Sequence, residues 1–420
     1  MKKISLKNLD MILYTETLSN GLEICMLPYK NKKNYYVSFV TRYGSDVLEF
    51  TDISKKSYKP PLGIAHFLEH KMFEQESGED PFSFYAKSGT DCNACTSCTN
   101  TQYMFWGTKN FNKNLEYLLK FVMHPYFTDQ NVKKEKGIIA EEIKMYNDIP
   151  QYKVERKLRE CLYKNSPRRL DIAGTVSEVN KITKEDLYTC YNNFYIPSNM
   201  FVLITGNFDP DIACEIIRNE LDSNDKRRVP KIKKIIEPIK VVESNKTIKG
   251  NVEIPKIGIG LKMSTKDIKL DKYELSLYLE MLSTIVFGDS SLFKERVRDK
   301  KIVNDFNPGW ENIEGISTLY IIANSVKPDD LISEIIKEFS SITVDEDSFN
   351  RIKKVWIARE IKAADDIEFM ADSLCYDLIK YKKVIPNKID IIKNMKFKKL
   401  KEIIKEINFK NYSIVKMDKE

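Results

Sequence analysis

Apolar positions along the first half of the chain change between a period of two and a period near 3.6. Short apolar runs, one of them partly alternating with polar residues, predict strands at Ile24 to Leu27, Tyr35 to Thr41 and Met200 to Thr205, and a Thr- and aromatic-rich stretch predicts extended chain from Cys92 to Thr108. Apolar residues spaced by three and four predict helices at Gly63 to Glu76, Leu115 to Met123 and Val132 to Tyr146. Helices and strands therefore alternate.

The second half repeats this pattern. Strands are expected at Lys256 to Met263, Leu319 to Ala323 and Tyr412 to Val415, and helices at Lys272 to Val286, Asp329 to Phe339 and Ser348 to Ala364. Between the halves, Ser223 to Lys249 is rich in charge and contains Pro230 and Pro238, as is typical of a linker. The predicted division is residues 1–222, a linker at 223–249, and residues 250–420. Since no Gly-rich phosphate loop occurs, a nucleotide-binding fold has no support.

Composition places the chain among soluble globular proteins. It has 420 residues, of which 42% are hydrophobic and 31% charged, and this length favours two domains. The net charge of +7 is small beside 68 basic and 61 acidic residues, and the basic clusters lack aromatic neighbours, so no nucleic-acid partner is expected. No apolar stretch reaches the roughly 18 residues that span a bilayer. No membrane association is expected, and eight cysteines, five of them scattered singly, fit reduced thiols in the cytoplasm.

The most informative motif is Gly63-Ile-Ala-His66-Phe-Leu-Glu69-His70, which holds two of the three histidines in the chain. On a helix, Glu69 lies about 60° to one side of His66 and His70 about 40° to the other, so all three side chains point the same way. Two imidazoles can bind zinc, and the carboxylate beside them can act as a general base toward water. This spacing is that of the inverzincins, which reverse the commoner His-Glu-x-x-His order.

Catalytic zinc sites commonly have three protein ligands, so one is still missing. The remaining histidine, His124, precedes a proline at a predicted helix end, where a capping or surface role is common. A stronger source is the acidic run from Glu135 to Glu142, in which these two glutamates are seven residues apart and therefore within about 20° on one helix face. A solvated acidic face would show the same pattern.

At these residues the chain resembles the pitrilysin/insulinase family, which includes the mitochondrial processing peptidases and their single-module bacterial relatives. That family has a His-x-x-Glu-His helix followed, about seventy to eighty residues later, by a Glu-x6-Glu helix whose second glutamate binds zinc. The resemblance implies Zn²⁺ ligands at His66, His70 and Glu142, with Glu69 as base and Glu135 as an outer carboxylate that orients the site. Glu141, about 100° away from Glu142, is the alternative ligand.

The resemblance also implies a fold and a function. The expected fold is α+β, with two similar domains that each have an antiparallel sheet with helices packed on one face. The expected function is that of a zinc endopeptidase acting on a peptide substrate, which would lie as an added strand along the edge that includes Asn93 and Ala94.

One part of the family pattern is missing from the second half. Active relatives have an Arg and, seven residues later, a Tyr that stabilise the developing oxyanion. Arg296 and Arg298 are available here, but Val303 and Asp305 occupy the positions expected for the Tyr. The resemblance therefore implies a homologous partner subunit that supplies this group, with a heterodimer favoured and a homodimer possible.

Two other classes of protein remain open on the sequence. Cys92, Cys95 and Cys98 have the two-residue spacing of iron–sulfur and zinc sites, although an extended strand would put Cys95 on the opposite face from the other two. The chain could also be a non-catalytic assembly subunit of the same family. Its intact zinc motif argues against that reading.

Overall fold

The computed structural model describes residues 1–52, 55–313 and 315–420. Contacts divide the chain into two compact units. The first unit comprises Met1–Ile143, Asp171–Lys234 and Glu360–Asn387, and the second Lys144–Leu170, Ile235–Arg359 and Lys388–Glu420. The predicted boundaries were contiguous, whereas in these units residues 144–170 group with the later part of the chain and residues 360–387 with the earlier part.

The strands of the described residues form three sheets. In chain order they are β1 (Lys2–Leu6), β2 (Met11–Thr17), β3 (Glu23–Pro28), β4 (Tyr35–Thr41), β5 (Phe50–Thr51), β6 (Ser57–Tyr58), β7 (Thr90–Thr96), β8 (Thr101–Gly107), β9 (Met200–Gly206), β10 (Lys231–Ile232), β11 (Asn245–Gly250), β12 (Lys256–Ser264), β13 (Asp305–Ile313), β14 (Ile316–Asn324) and β15 (Tyr412–Lys419).

Helices connect most of these strands. They are α1 (Ile64–Met72), α2 (Pro81–Lys87), α3 (Phe111–Met123), α4 (Asp129–Asp148), α5 (Pro150–Leu162), α6 (Val176–Val179), α7 (Lys184–Phe194), α8 (Pro210–Leu221), α9 (Lys272–Phe287), α10 (Leu292–Asp299), α11 (Pro328–Ser340), α12 (Glu346–Ala363), α13 (Ile367–Lys380), α14 (Lys388–Asn394) and α15 (Phe397–Lys405), with 3₁₀ turns at Pro167–Arg169 and Pro197–Asn199.

The first unit has a seven-stranded sheet in the order β1-β2-β3-β9-β4-β8-β7, and a small sheet in the order β10-β5-β6. Every residue of β4 and β9 is buried. One apolar cluster joins the large sheet to α1, α3, α7 and α8, and a second cluster joins it to α13. Strand β7, at the edge, pairs only with β8 among the described residues, so its other edge is open to a further strand.

The second unit has a five-stranded sheet in the order β11-β15-β12-β14-β13. Helix α5 contacts β12 and β15 at close range. This approach requires glycine at two positions of β12, because a Cβ added to Gly258 would lie 2.9 Å from Val154 Cγ1 and one added to Gly260 would lie 2.4 Å from Leu162 Cδ1. Helix α9 contacts β13.

The predicted α+β class, with a sheet and its helices in each unit, is confirmed. The sheets differ from the expectation in one detail, since β3 pairs with β9, and β11 with β15, in parallel. Each of these pairs joins strands far apart in the chain, where a long connection permits parallel pairing. Helices also cover both faces of the first sheet, which accounts for the fully buried β4 and β9.

None of the described helices is both long enough and apolar enough to cross a membrane.

Candidate metal centre

Helix α1 presents the two-histidine motif on its less buried side. It begins after Gly63, whose φ of 87° favours glycine and where an added Cβ would lie 2.2 Å from the carbonyl oxygen of Ala173. The apolar residues of α1, among them Phe67 and Leu68, face the core. His66, Glu69 and His70 are therefore directed together away from it, as the helical spacing predicts.

Helix α4 brings the two glutamates to the same place. Its buried face is formed by Val132, Ile139 and Ile143 together with Glu135, which is only 8% exposed. Glu142 lies two turns after Glu135 on this side of the helix and is partly buried. Both carboxylates approach α1 because they flank the apolar positions that hold α4 against the core.

His66, His70 and Glu142 bring one potential ligand atom each within 4.8 Å of one another. Nε2 of His66 lies 3.7 Å from Oε1 of Glu142, and Nε2 of His70 lies 3.5 Å from Oε2. That Oε2 is buried and makes no hydrogen bond with the described residues, as expected of an atom that faces a cation. Two imidazole nitrogens and one carboxylate oxygen are a donor set typical of catalytic zinc, so these residues fit that metal.

Glu135 contacts the outer nitrogen of His70. Its Oε1 lies 3.0 Å from Nδ1, and its Oε2 lies 3.6 Å from Nζ of Lys71. Burial alone would raise the pKa of Glu135, but the hydrogen bond with His70 and the charge of Lys71 bring that pKa below its usual range. Because the carboxylate accepts a hydrogen bond from Nδ1–H, the lone pair of a neutral His70 is on Nε2, where it faces Glu142.

The two histidines differ in their surroundings. Burial, together with the neighbouring ring of His70, lowers the pKa of His66 to about 4. For His70 burial acts in the same direction, but the hydrogen bond with Glu135 and the nearby carboxylates raise its pKa. Neutral His66 is ready to bind a cation, and His70 is held in place by an acceptor.

Glu69 is held by a residue outside the helix. Thr96, at the end of β7, donates its hydroxyl hydrogen to Oε2 of Glu69 over 2.6 Å. Burial raises the pKa of the Glu69 carboxyl, although the Thr96 hydrogen bond opposes that shift. A raised carboxyl pKa suits a group that must take up a proton and later release it. Thr96 was not among the predicted site residues, because no local pattern connects this residue of β7 with helix α1.

The structure places the remaining predicted site residues in two regions. Asn93 is exposed on β7, and Ala94 packs against the apolar cluster that joins the large sheet to α1, α3, α7 and α8. Arg296 and Arg298 lie on α10 of the second unit. Arg296 forms ion pairs with Glu334 and Glu338 on α11, whereas Arg298 approaches only Asp289, at 3.5 Å, among the described ion pairs.

The alternative ligands take no part in the cluster. Glu141 is exposed, and Nδ1 of His124 lies 2.7 Å from the backbone carbonyl of Lys120 at the end of α3. Within the described ranges, the three cysteines at 92, 95 and 98 do not form a metal-binding group. None of the three forms a disulfide bond, and Cys95 is exposed.

Two sequence profiles of known protein families match the chain. The sequence profile described as "Insulinase (Peptidase family M16)" matches residues 56–176, which include the histidine helix and Glu142. A second profile, described as "Peptidase M16 inactive domain", matches residues 181–355.

Individual relatives and solved structures match most of the chain. YmfH of Bacillus subtilis, named as an uncharacterized zinc protease, is 38% identical over 382 residues, which cover 89% of this chain and 88% of that protein. A crystal structure of an M16-like peptidase from Alicyclobacillus acidocaldarius is similar with a TM-score of 0.91 and 30% identity, covering 99% of this chain and 100% of the other. A protease from Helicobacter pylori shares the fold, with a TM-score of 0.83 at 18% identity over 97% and 99% of the two chains.

Proposed function

The chain belongs to the M16, or insulinase, family of peptidases, and on that premise we propose that it is a zinc-dependent endopeptidase that cleaves peptides or unfolded segments. His66, His70 and Glu142 would hold the zinc. The observation that carries the proposal is the convergence of their three ligand atoms within 4.8 Å, beside the carboxylate of Glu69.

Zinc bound there would polarise the scissile carbonyl and acidify a water molecule. Glu69 would take a proton from that water on its carboxylate and deliver it to the leaving amine. The hydrogen bond from Thr96 fixes Oε2 of Glu69 and thereby the orientation of the base. Glu135 would accept a hydrogen bond from Nδ1–H of His70 and keep the ring aimed at Glu142.

The geometry of the β7 edge favours a peptide as the substrate. Its burial alternates, with Ala94 and Thr96 turned toward the core side and Asn93 and Cys95 exposed. A peptide added to this edge would be bound through backbone hydrogen bonds next to Thr96, which contacts the base. Recognition of this kind depends little on side chains and suits the processing of an extended segment.

We further propose that a homologous subunit completes the active site. Neither Val303 nor Asp305 offers the phenol that the family pattern requires, and Arg296 is already paired with two glutamates. The partner would be a related chain that has the Arg and Tyr, in a heterodimer, because a homodimer would bring only a second copy of Val303 and Asp305. The described cysteines form no disulfide bonds, which suits a reducing compartment, and we propose that the reaction takes place in the cytoplasm.

The test separates the metal ligand from the base. The variant Glu69→Gln should keep one zinc per chain and lose at least about a hundredfold in activity, the scale of a general base. Glu142→Gln should bind zinc more weakly. The matched control is Glu141→Gln, at the exposed neighbouring position, which should change neither. Equal zinc loss in the Glu69 and Glu142 variants, or full activity of Glu69→Gln, would contradict these roles.

A further inference from the structure

Lys71 follows His70 directly on α1, and its side chain is completely buried. A buried ammonium group costs several kcal/mol unless anions compensate it. Two carboxylates do so: Glu74, just beyond the end of α1, which accepts a hydrogen bond from the ammonium, and Glu135 on α4, whose Oε2 is 3.6 Å from Nζ. Of these, Glu74 is 40% exposed and Glu135 only 11% exposed at the side chain. The ammonium of Lys71 therefore lies between a partly exposed carboxylate, to which it donates a hydrogen bond, and the interior carboxylate that also contacts His70.

Glu135 thus contacts two consecutive residues of α1, one with each oxygen. Oε1 accepts from Nδ1 of His70, and Oε2 faces the ammonium of Lys71. Rotation of the carboxylate about its last bond would break one contact or both. A neutral imidazole cannot balance the charge of this buried carboxylate, whereas Lys71 can.

We propose that Lys71 is a positioning residue for the metal centre: it fixes the carboxylate of Glu135, which in turn fixes the ring of His70. This inference rests on the proposed function, because it assigns Lys71 a role behind a proposed zinc ligand. Groups behind a ligand typically change metal affinity by about 10- to 100-fold when they are removed. Lys71 acts through Glu135 and does not itself touch the substrate.

The experiment measures zinc affinity of the full-length protein by competition with a chromophoric chelator, so that it needs no peptidase activity. Lys71→Met keeps the length and apolar stem of the side chain and removes the charge. We expect its affinity to fall about tenfold, toward the lower end of that range, and Glu135→Gln to show a similar loss. If Lys71 acts only through Glu135, the double variant should bind zinc as weakly as Glu135→Gln alone, within twofold.

Lys262 offers a matched control because it is the other lysine whose buried side chain is 0% exposed in the described residues, and it lies in the second unit. Lys262→Met should lower the thermal midpoint of the zinc-free protein yet keep wild-type zinc affinity. Lys71→Gln replaces Lys71→Met if the latter gives no folded protein. Wild-type affinity in the Lys71 variants, or losses that multiply in the double variant, would overturn the inference.

Separate variants test the proposed zinc ligands themselves. If His66→Ala and His70→Ala retain wild-type zinc affinity, the metal centre itself is misassigned. If both lose zinc while Lys71→Met does not, only the role of Lys71 is wrong.

Discussion

Glu69 shows how far one side chain depends on a neighbour from another element. Spacing on α1 places it beside the two histidines, but its orientation is set by Thr96 on β7. Because the carboxylate is mostly buried, a single donor determines which way it points. The Thr96 hydroxyl therefore belongs to the proposed catalytic machinery even though it bears no charge.

Replacing Thr96 by valine keeps its shape and removes the donor. We expect unchanged zinc content and a kcat/KM about tenfold lower, since a hydrogen bond to a charged group is worth about 1.5–3 kcal/mol. Metal analysis and steady-state assay of a model peptide measure the two quantities. Thr99→Val, at the exposed turn of the same hairpin, should leave both at the wild-type level. Loss of zinc from the Thr96 variant would show that the threonine supports the ligands and not the base.

The sequence reveals the parts of the site that share one helix. His66, Glu69 and His70 are related by spacing on α1, and Glu135 and Glu142 by spacing on α4. Contacts that cross between elements leave no such periodic signal. Lys71 therefore resembles any charged residue in the sequence, although its side chain is buried.

At the scale of elements, helices with a regular apolar face were predictable and several others were not. Helix α5 was missed because six of its thirteen residues are charged, and its apolar side chains are buried only because Gly258 and Gly260 let the helix approach β12. Strand β13 includes Pro308 and Gly309, which are unfavourable in strands, yet it pairs with β14 along its whole length. Packing against β12 in the first case, and pairing with β14 in the second, thus outweigh the local sequence preference.

The segment predicted as a linker, residues 223–249, is held by the paired strands β10 and β11 and, between them, by Glu237. Glu237, 8% exposed at the side chain, accepts hydrogen bonds from the backbone amides of Lys164, Asn165 and Ser166 and forms an ion pair with buried Lys262 at 2.7 Å. Burial alone would raise the pKa of Glu237, but these donors together bring it below its usual range. Glu237 and these partners all lie in the second unit.

Glu237→Gln should therefore lower the free energy of unfolding by about 3 kcal/mol at pH 7, because it leaves the Lys262 ammonium buried without its counter-charge. A carboxyl whose folded pKa is depressed stabilises the protein above its unfolded pKa of about 4.3, and this contribution disappears as pH falls through the folded value. The gap between variant and wild type should shrink below about pH 4. Urea unfolding at both pH values measures it.

The control for this experiment is Glu253→Gln, which alters an exposed glutamate of the same unit. Its unfolding curve should coincide with that of the wild type at both pH values. A gap for Glu237→Gln that stays constant as the pH is lowered would show that the ionised carboxylate is not the stabilising group.

At the scale of the whole molecule, the chain passes between the two compact units at residues 143/144, 170/171, 234/235, 359/360 and 387/388. The sequence indicated one passage, in its charged, proline-containing segment. The others fall within or beside helices, where composition does not change. Residues 360–387 illustrate the reason: α13 joins the apolar cluster of β3, β4 and β9, more than 150 positions earlier in the chain. Packing between such distant segments does not change the local composition, so the sequence does not reveal these boundaries.

The missing oxyanion donor leads to the last prediction. One such donor is typically worth about a hundredfold to a thousandfold in rate, so the isolated chain should be a poor peptidase even with a full complement of zinc. Addition of a co-purifying homologue that has the family Arg and Tyr should raise kcat toward a model peptide by about that factor. A homologue with this Tyr replaced by Phe provides the matched control, since it should associate equally well without restoring activity. Full activity of the isolated chain, unchanged by the homologue, would contradict the requirement for a partner.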